Sequence, residues 1–349
     1  MKITKKTVAS PKGDITLYTL TNANGAEVTL SSLGAGIVSV VVPDSKGNMA
    51  DVALGYANPV DYFGDGPCAG KVPGRFANRI ARGELRVDGR DYQLAINNGP
   101  NALHGGPEGF HNQIWESEID EEDEAVVFWR VSPDGEENYP GKVDVEARYT
   151  WSDDCELTLE LTAVTDAATV VNLTNHCYWN LEGHNSGSCL EHKLWIDADR
   201  YLPTDDTLIP TGEMAPVAGT PMDFTELKTI GRDIKEDFTA LVYGKGYDNC
   251  WVINDFKRDT LKHVATLEAP QSGRVLEVSS TQPAAQVYTG NWLAGSPHNK
   301  DGRSYDDYDG VAIECQAMPD SPHHADFPST QLYPGDIYQH AIVFKFKTK

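Results

Sequence analysis

The sequence predicts an all-β protein, a single large antiparallel β-sandwich with few short helices. Three observations carry that prediction. Apolar residues recur with period two almost throughout the chain. Turn formers break the runs at regular places. The 31 Gly and 20 Pro are scattered without period, as a fold with many turns requires.

The runs with strand character are 26–42, 125–131, 143–151, 156–164 and 341–346. In Leu157-Thr158-Leu159-Glu160-Leu161-Thr162 the leucines share one face and the polar residues the other, as in a half-buried strand. Ser45-Lys46-Gly47, Asp88-Gly89 and Pro133-Asp134-Gly135 are the turns between such runs. The best helical signal is Asp223-Phe224-Thr225-Glu226, an Asp cap with Glu three residues on. It predicts a short amphipathic helix to about Ile234. No internal repeat, low-complexity segment or Pro/Ser-rich linker divides the chain, so residues 1–349 are expected to form one domain.

Composition narrows the function. The 349 residues hold 29 Lys+Arg against 52 Asp+Glu, a formal net charge of −23. Such a surface repels phosphate backbones and anionic lipid, which argues against nucleic acid and membrane partners. No apolar run approaches the roughly 18 residues of a membrane span. No C-x-x-C pair occurs among the six cysteines, and Cys177 and Cys315 have no activating partner nearby in sequence. Basic residues at Met1-Lys-Ile-Thr-Lys-Lys6 are not followed by an apolar stretch, so a cytoplasmic location is the expectation. The chain lacks G-x-G-x-x-G after a strand, G-x-x-x-x-G-K-[ST] and G-x-S-x-G, so no cofactor is expected. His323-His324 are adjacent and would point to opposite faces of a strand, so no metal site is expected either.

Three segments alternate in a way that suits a polyhydroxylated ligand. From Val170 to Trp179, Asn172, Thr174, His176 and Tyr178 share one parity and Val171 and Leu173 the other. From Val311 to Met318, Val311, Ile313 and Cys315 oppose Glu314 and Gln316. From Ala285 to Trp292, Gln286, Tyr288 and Trp292 oppose Ala285, Val287 and Thr289. Amides and carboxylates take directed hydrogen bonds from sugar hydroxyls, and aromatic rings cover C–H faces. Taken singly, a His or Glu on a strand is more often a solvated surface residue. Two loops add to the pattern. Asn97 to Gly106 packs turn formers around His104. Gly74 to Ile80 places Arg75 and Arg79 in a chain poor in cations. Arg75 is read as a salt-bridging residue. Gly246-Tyr247-Asp248-Asn249 is a further turn that exposes a carboxylate.

In this order the segments resemble the aldose 1-epimerase (galactose mutarotase) family. The resemblance runs from Gly74-Arg-Phe-Ala-Asn-Arg-Ile-Ala81 through Asn101-Ala-Leu-His-Gly-Gly106, Thr174-Asn-His-Cys-Tyr-Trp-Asn-Leu181 and Gly246-Tyr-Asp248. It ends with Thr281-Gln-Pro, Gln286-Val-Tyr-Thr-Gly-Asn291 and Glu314-Cys-Gln. It implies a mutarotase-like super-sandwich with the sugar site in its concave face, and interconversion of α and β anomers of free hexoses such as glucose and galactose. It also implies Glu314 as general base and His176 as general acid. His104 would bind and polarise the sugar, and Asn78, Arg79, Tyr178, Asp248 and Gln286 would line the pocket. Cys177 and Trp179 flank the Tyr where Thr and Phe are frequent, Asn249 follows the Asp where His is usual, and Cys315 follows Glu314 instead of Thr. These departures bear on sugar preference.

The reaction removes a proton from the C1 hydroxyl and gives one to the ring oxygen, needing no redox step, phosphate or metal. The reading expects acid and base on opposite sides of the hemiacetal, Glu314 ionised and His176 protonated, with a small-molecule aldose as the partner. The sequence leaves the preferred sugar, the oligomeric state and the pathway open. Rival readings are a hexose-6-phosphate 1-epimerase, which needs extra Arg or Lys for the dianion, a non-catalytic carbohydrate-binding domain on the same scaffold, and a glycosidase using Asp248 and Glu314.

Overall fold

A computed structural model describes residues 1–349. Three large sheets, with every strand ladder antiparallel, make up most of it. Five strands between Lys2 and Asp51 form a meander in chain order. A nine-stranded sheet runs in the order Glu116–Asp120, Ala125–Ser132, Val143–Trp151, Glu156–Thr165, Tyr338–Thr348, Arg274–Ser280, Lys262–Glu268, Lys193–Ile196, Lys228–Thr229. A six-stranded sheet runs Tyr178–Trp179, Val311–Gln316, Ala284–Tyr288, Asp248–Val252, Arg200–Leu202, Ala215–Pro216.

Alternation decides which face is buried. In Val143–Trp151 every second residue, from Val143 to Trp151, is buried and the others are half-exposed. Leu157, Leu159 and Leu161 are fully buried, as the period-two reading required. The inner face of the nine-stranded sheet packs on both smaller sheets around one core of 60 buried residues. Trp179 of the six-stranded sheet meets Phe344 of the nine-stranded one at 5.2 Å between ring centroids. Tyr18 of the five-stranded sheet meets Phe128 edge-on at 5.8 Å. Tyr149 donates from its hydroxyl to the Ala35 carbonyl at 2.7 Å, so its polar end is satisfied inside that core.

Several local expectations differ from the structure. The 26–42 run is two strands, Glu27–Ser31 and Gly36–Pro43, joined by a tight turn through Leu33 and Gly34. The segment after Asp223 is not an α-helix. Asp223 caps only its own turn, accepting from the Thr225 amide and hydroxyl. Lys228 then turns inward, where Nζ donates to the Pro221 carbonyl and Asp233, and Lys228–Thr229 pairs with the strand Lys193–Ile196. Tertiary pairing outweighs a weak local preference there. The one α-helix is Thr239–Gly244. Arg75 makes no ion pair. Its buried guanidinium donates to the carbonyls of Pro140 and Gly141 and to Ser132 Oγ. No helix is long and apolar enough to cross a membrane.

Candidate active site

The six-stranded sheet shows why alternate residues matter. Its inner face carries Val311, Ile313, Cys315, Ala285, Val287 and Trp251 into the core. The opposite face therefore carries Glu314, Gln286, Tyr288, Asp248 and Tyr178. Register then brings them together, with Gln286 opposite Glu314 and Asp248 opposite Tyr288. The first and third segments of the sequence reading are strands only in part. Between Val170 and Tyr178 the chain is extended without a continuous ladder, and Trp292 lies in the loop beyond Tyr288.

Loops from distant parts of the chain roof this face and enclose a cavity of about 570 Å³. Asn78, Arg79, His104, His176, Tyr178, Asp248 and Glu314 all line it, as the sequence reading expected. Gln286 stands one step behind, donating through Nε2 to Asp248 Oδ1 at 2.7 Å. Sequence reasoning did not single out Asn98, Tyr243 or the Asp206–Leu208 turn as site residues, although they line the cavity too. Tyr288 and Trp292, placed on the ligand-suited face by their alternating segment but not named among the pocket residues, line it as well. Trp292, half exposed, stacks on Tyr288 at the mouth, 6.5 Å between centroids and 19° between planes.

At the floor, His176 Nε2 lies 3.4 Å from Glu314 Oε1. The two groups sit side by side rather than across the cavity from one another. That suits a hemiacetal, whose hydroxyl and ring oxygens are bonded to the same carbon. Glu314 Oε2 has no protein partner, which leaves it for a ligand hydroxyl. Burial pushes the Glu314 carboxyl well above the usual carboxylate range, and the charge of Asp248 adds to this. Burial also drives the His176 imidazole down to about 4. The empty pocket therefore favours the neutral pair, with one proton on Glu314, over the carboxylate–imidazolium pair expected from sequence. Both states hold the same number of protons.

His104 has its hydrogen-bond roles fixed. The Asn78 amide donates to its Nδ1 at 3.1 Å, so the neutral ring carries its proton on Nε2. His104, His176 and Glu314 each place a ligand-type atom within 4.8 Å of the others. A cation would need a bare nitrogen on His104, which the Asn78 amide disfavours; an N–H facing a sugar oxygen is what this geometry offers. Asp248 is held by Arg79 Nη2 at 3.5 Å and by Gln286, while Arg79 Nε donates to Asn98 Oδ1 at 3.0 Å.

The chain is similar to known proteins along almost its whole length. The Aldose 1-epimerase family model matches residues 16–345. The galactose mutarotase of Homo sapiens is 43% identical over 320 residues, covering 91% of this chain and 90% of that protein. The aldose 1-epimerase of Escherichia coli (strain K12) is 36% identical over 332 residues, covering 95% and 94%. The crystal structure of a GalM/aldose epimerase homologue from C. elegans superposes with a TM-score of 0.87 at 30% identity, over 99% of both chains. A buried Glu–His contact on the polar face of a β-sandwich, and similarity along almost the whole length, lead to one assignment: the chain belongs to the aldose 1-epimerase family of isomerases.

Proposed function

We propose that the protein interconverts the α and β anomers of free hexoses, glucose and galactose among them, with Glu314 as base and His176 as acid. The contact between Glu314 and His176 at the cavity floor carries this reading. Glu314 takes the proton from the C1 hydroxyl as His176 gives one to the ring oxygen, and the C1–ring-oxygen bond breaks to leave an aldehyde. Rotation about C1–C2 presents the other face. Glu314 then returns its proton to the carbonyl oxygen, His176 takes one back from the attacking hydroxyl, and C1 is inverted. His104 Nε2–H donates to the oxygen on which charge develops.

The buried pair suits the open-chain intermediate. Ring opening converts carboxylate and imidazolium into carboxylic acid and imidazole, the state that burial favours. Sugar hydroxyls supply the hydrogen bonds that sustain the ionic pair before the bond breaks. Asn78, Arg79, Tyr178 and Asp248 then set affinity and sugar choice, with Gln286 holding Asp248 in place.

Free sugars fit better than phosphorylated ones, since Arg79 is the one Lys or Arg lining the cavity and Asp248 already engages it. The reading of residues 1–349 as one domain belongs to the same proposal, supported by a core that draws on all three large sheets. Polarimetry on freshly dissolved α-glucose and α-galactose tests the activity against the spontaneous rate. Glu314→Gln should lower turnover by roughly 10²–10⁴-fold. Near wild-type turnover in a folded Glu314→Gln protein would remove Glu314 from this role.

A further inference from the structure

Next to the cavity wall at Gly66 and Pro67 lies a buried ion pair that no step above uses. The side chains of Lys71 and Asp65 are fully excluded from solvent and bonded to each other. Lys71 Nζ also donates to the Tyr62 carbonyl at 2.5 Å and to Asn112 Oδ1 at 3.3 Å, so its three protons have three acceptors. Asp65 Oδ2 accepts from the Tyr56 hydroxyl and the Ala69 amide, both at 2.9 Å. The Lys71 stem runs past Gly34, where a Cβ would lie 2.9 Å from Lys71 Cβ and Cδ. Apolar side chains of similar volume hold such a place at least as well as an ion pair does. A retained pair invites a reason other than stability.

The reason lies in what the 65–71 loop holds. His176 precedes the strand Tyr178–Trp179 and has no ladder of its own. Its amide donates to the Lys71 carbonyl at 2.9 Å, and its carbonyl accepts from the Gly70 amide at 2.9 Å. Asn175 Nδ2 donates to the Gly70 carbonyl at 2.7 Å, and the Tyr178 hydroxyl to the Pro67 carbonyl at 2.9 Å. Gly66 and Pro67 themselves line the cavity. The backbone of His176 and the ring of Tyr178 are therefore hung on a loop whose two ends are tied by Lys71 and Asp65.

We infer that Lys71, through its ion pair with Asp65, is a positioning residue that holds His176 against Glu314. The inference rests on the acid–base reading of Glu314 and His176. The groups facing the His176 ring are Glu314, His104, Tyr178 and Tyr288, with the charge of Asp248 beyond. Among the more distant charges, Asp65 favours the imidazolium and Lys71 opposes it.

The test is a cycle of Lys71→Met, Asp65→Asn and the double variant, with kcat and KM of mutarotation measured across pH and folding checked by circular dichroism. Removing one partner strands the other in a buried place without its counter-charge, so each single variant should shed the remaining charge and lose at least about tenfold in kcat. In the double variant no charge is stranded, yet kcat should stay roughly tenfold below the wild type because the tether of the 65–71 loop is gone. KM should rise less than kcat falls, since Asn78, Arg79 and Asp248 do not hang on that loop. A folded double variant with wild-type kcat, or one whose KM rises more than its kcat falls, would overturn the inference. So would a failure of both Lys71 variants to fold, which would make the pair an element of the fold alone. Loss of activity in Glu314→Gln together with wild-type kcat in the double variant would sink this inference and leave the acid–base reading standing.

Discussion

Single side chains in this site have their roles assigned before a ligand arrives. The Asn78 amide makes His104 a donor toward the cavity, and Gln286 and Arg79 fix both oxygens of Asp248. Asp248 makes no hydrogen bond to Glu314 or His176, which supports the binding role proposed for it. Asp248→Asn should raise KM about tenfold, the worth of one charge-assisted hydrogen bond, while kcat falls less. Steady-state polarimetry giving the reverse split would place Asp248 in the chemistry. At this scale much was legible in the sequence. Glu314 stands on a strand where parity predicts its face, whereas Asp248, read as part of a turn, opens the strand Asp248–Val252; the family resemblance supplied the roles of Asn78, Arg79 and His104. Parity could not tell that Gln286 points at Asp248 rather than at the cavity, since both positions share one face. The pull of burial on His176 escaped the sequence for a related reason. Carboxylates nearby were visible in the motif set, but the burial that outweighs them was not. Lys71 and Asp65 gave no signal, because a lone Lys and Asp six residues apart look like any solvated pair.

Among the elements, strands were easier to read than the stretches between them. The bounds of Val143–Trp151 match expectation to the residue, because a half-buried strand writes its pattern directly into its composition. The false helix after Asp223 shows the converse. A cap motif is a local preference worth about 1 kcal/mol, and a single strand pairing with inward-turned Lys228 outweighs it. The roof of the site comes from Gly66–Pro67, Asn98–His104, Asp206–Leu208, Tyr243 and Trp292, whose meeting depends on the closed sandwich and on no local pattern. One of these loops is held in a narrow place. Gly105 has φ +83°, and a Cβ there would lie 2.0 Å from the Gly74 carbonyl oxygen. Gly105→Ala should therefore displace the neighbouring His104, destabilise the protein by at least about 1–2 kcal/mol and depress kcat. A thermal melt within about one degree of the wild type, with unaltered turnover, would show that the loop has slack.

For the molecule as a whole, the buried histidines set the response to acid. Burial lowers the proton affinity of His104, His111, His176, His184, His192 and His340, with His176, His192 and His340 at about 4 and His111 at about 3. Between about pH 6.5 and 4 these rings take protons in the unfolded chain before they do so in the folded one, so stability falls as pH is lowered through that window. Glu314, Glu137, Asp309 and His323, whose affinities are raised, act in the opposite direction, but they are four against six. Tm should be roughly 5 °C lower at pH 5 than at pH 7; a flat or rising profile would mean that these rings are hydrated in solution. The sheet order has a further consequence. The strand Tyr338–Thr348 lies in the middle of the nine-stranded sheet, between Glu156–Thr165 and Arg274–Ser280. On the ribosome the two halves of that sheet must wait, each with an open, adhesive edge, until synthesis has passed residue 348. Closing that sheet is therefore a late event in folding, and a chaperone that masks unpaired strand edges would act before this strand is in place.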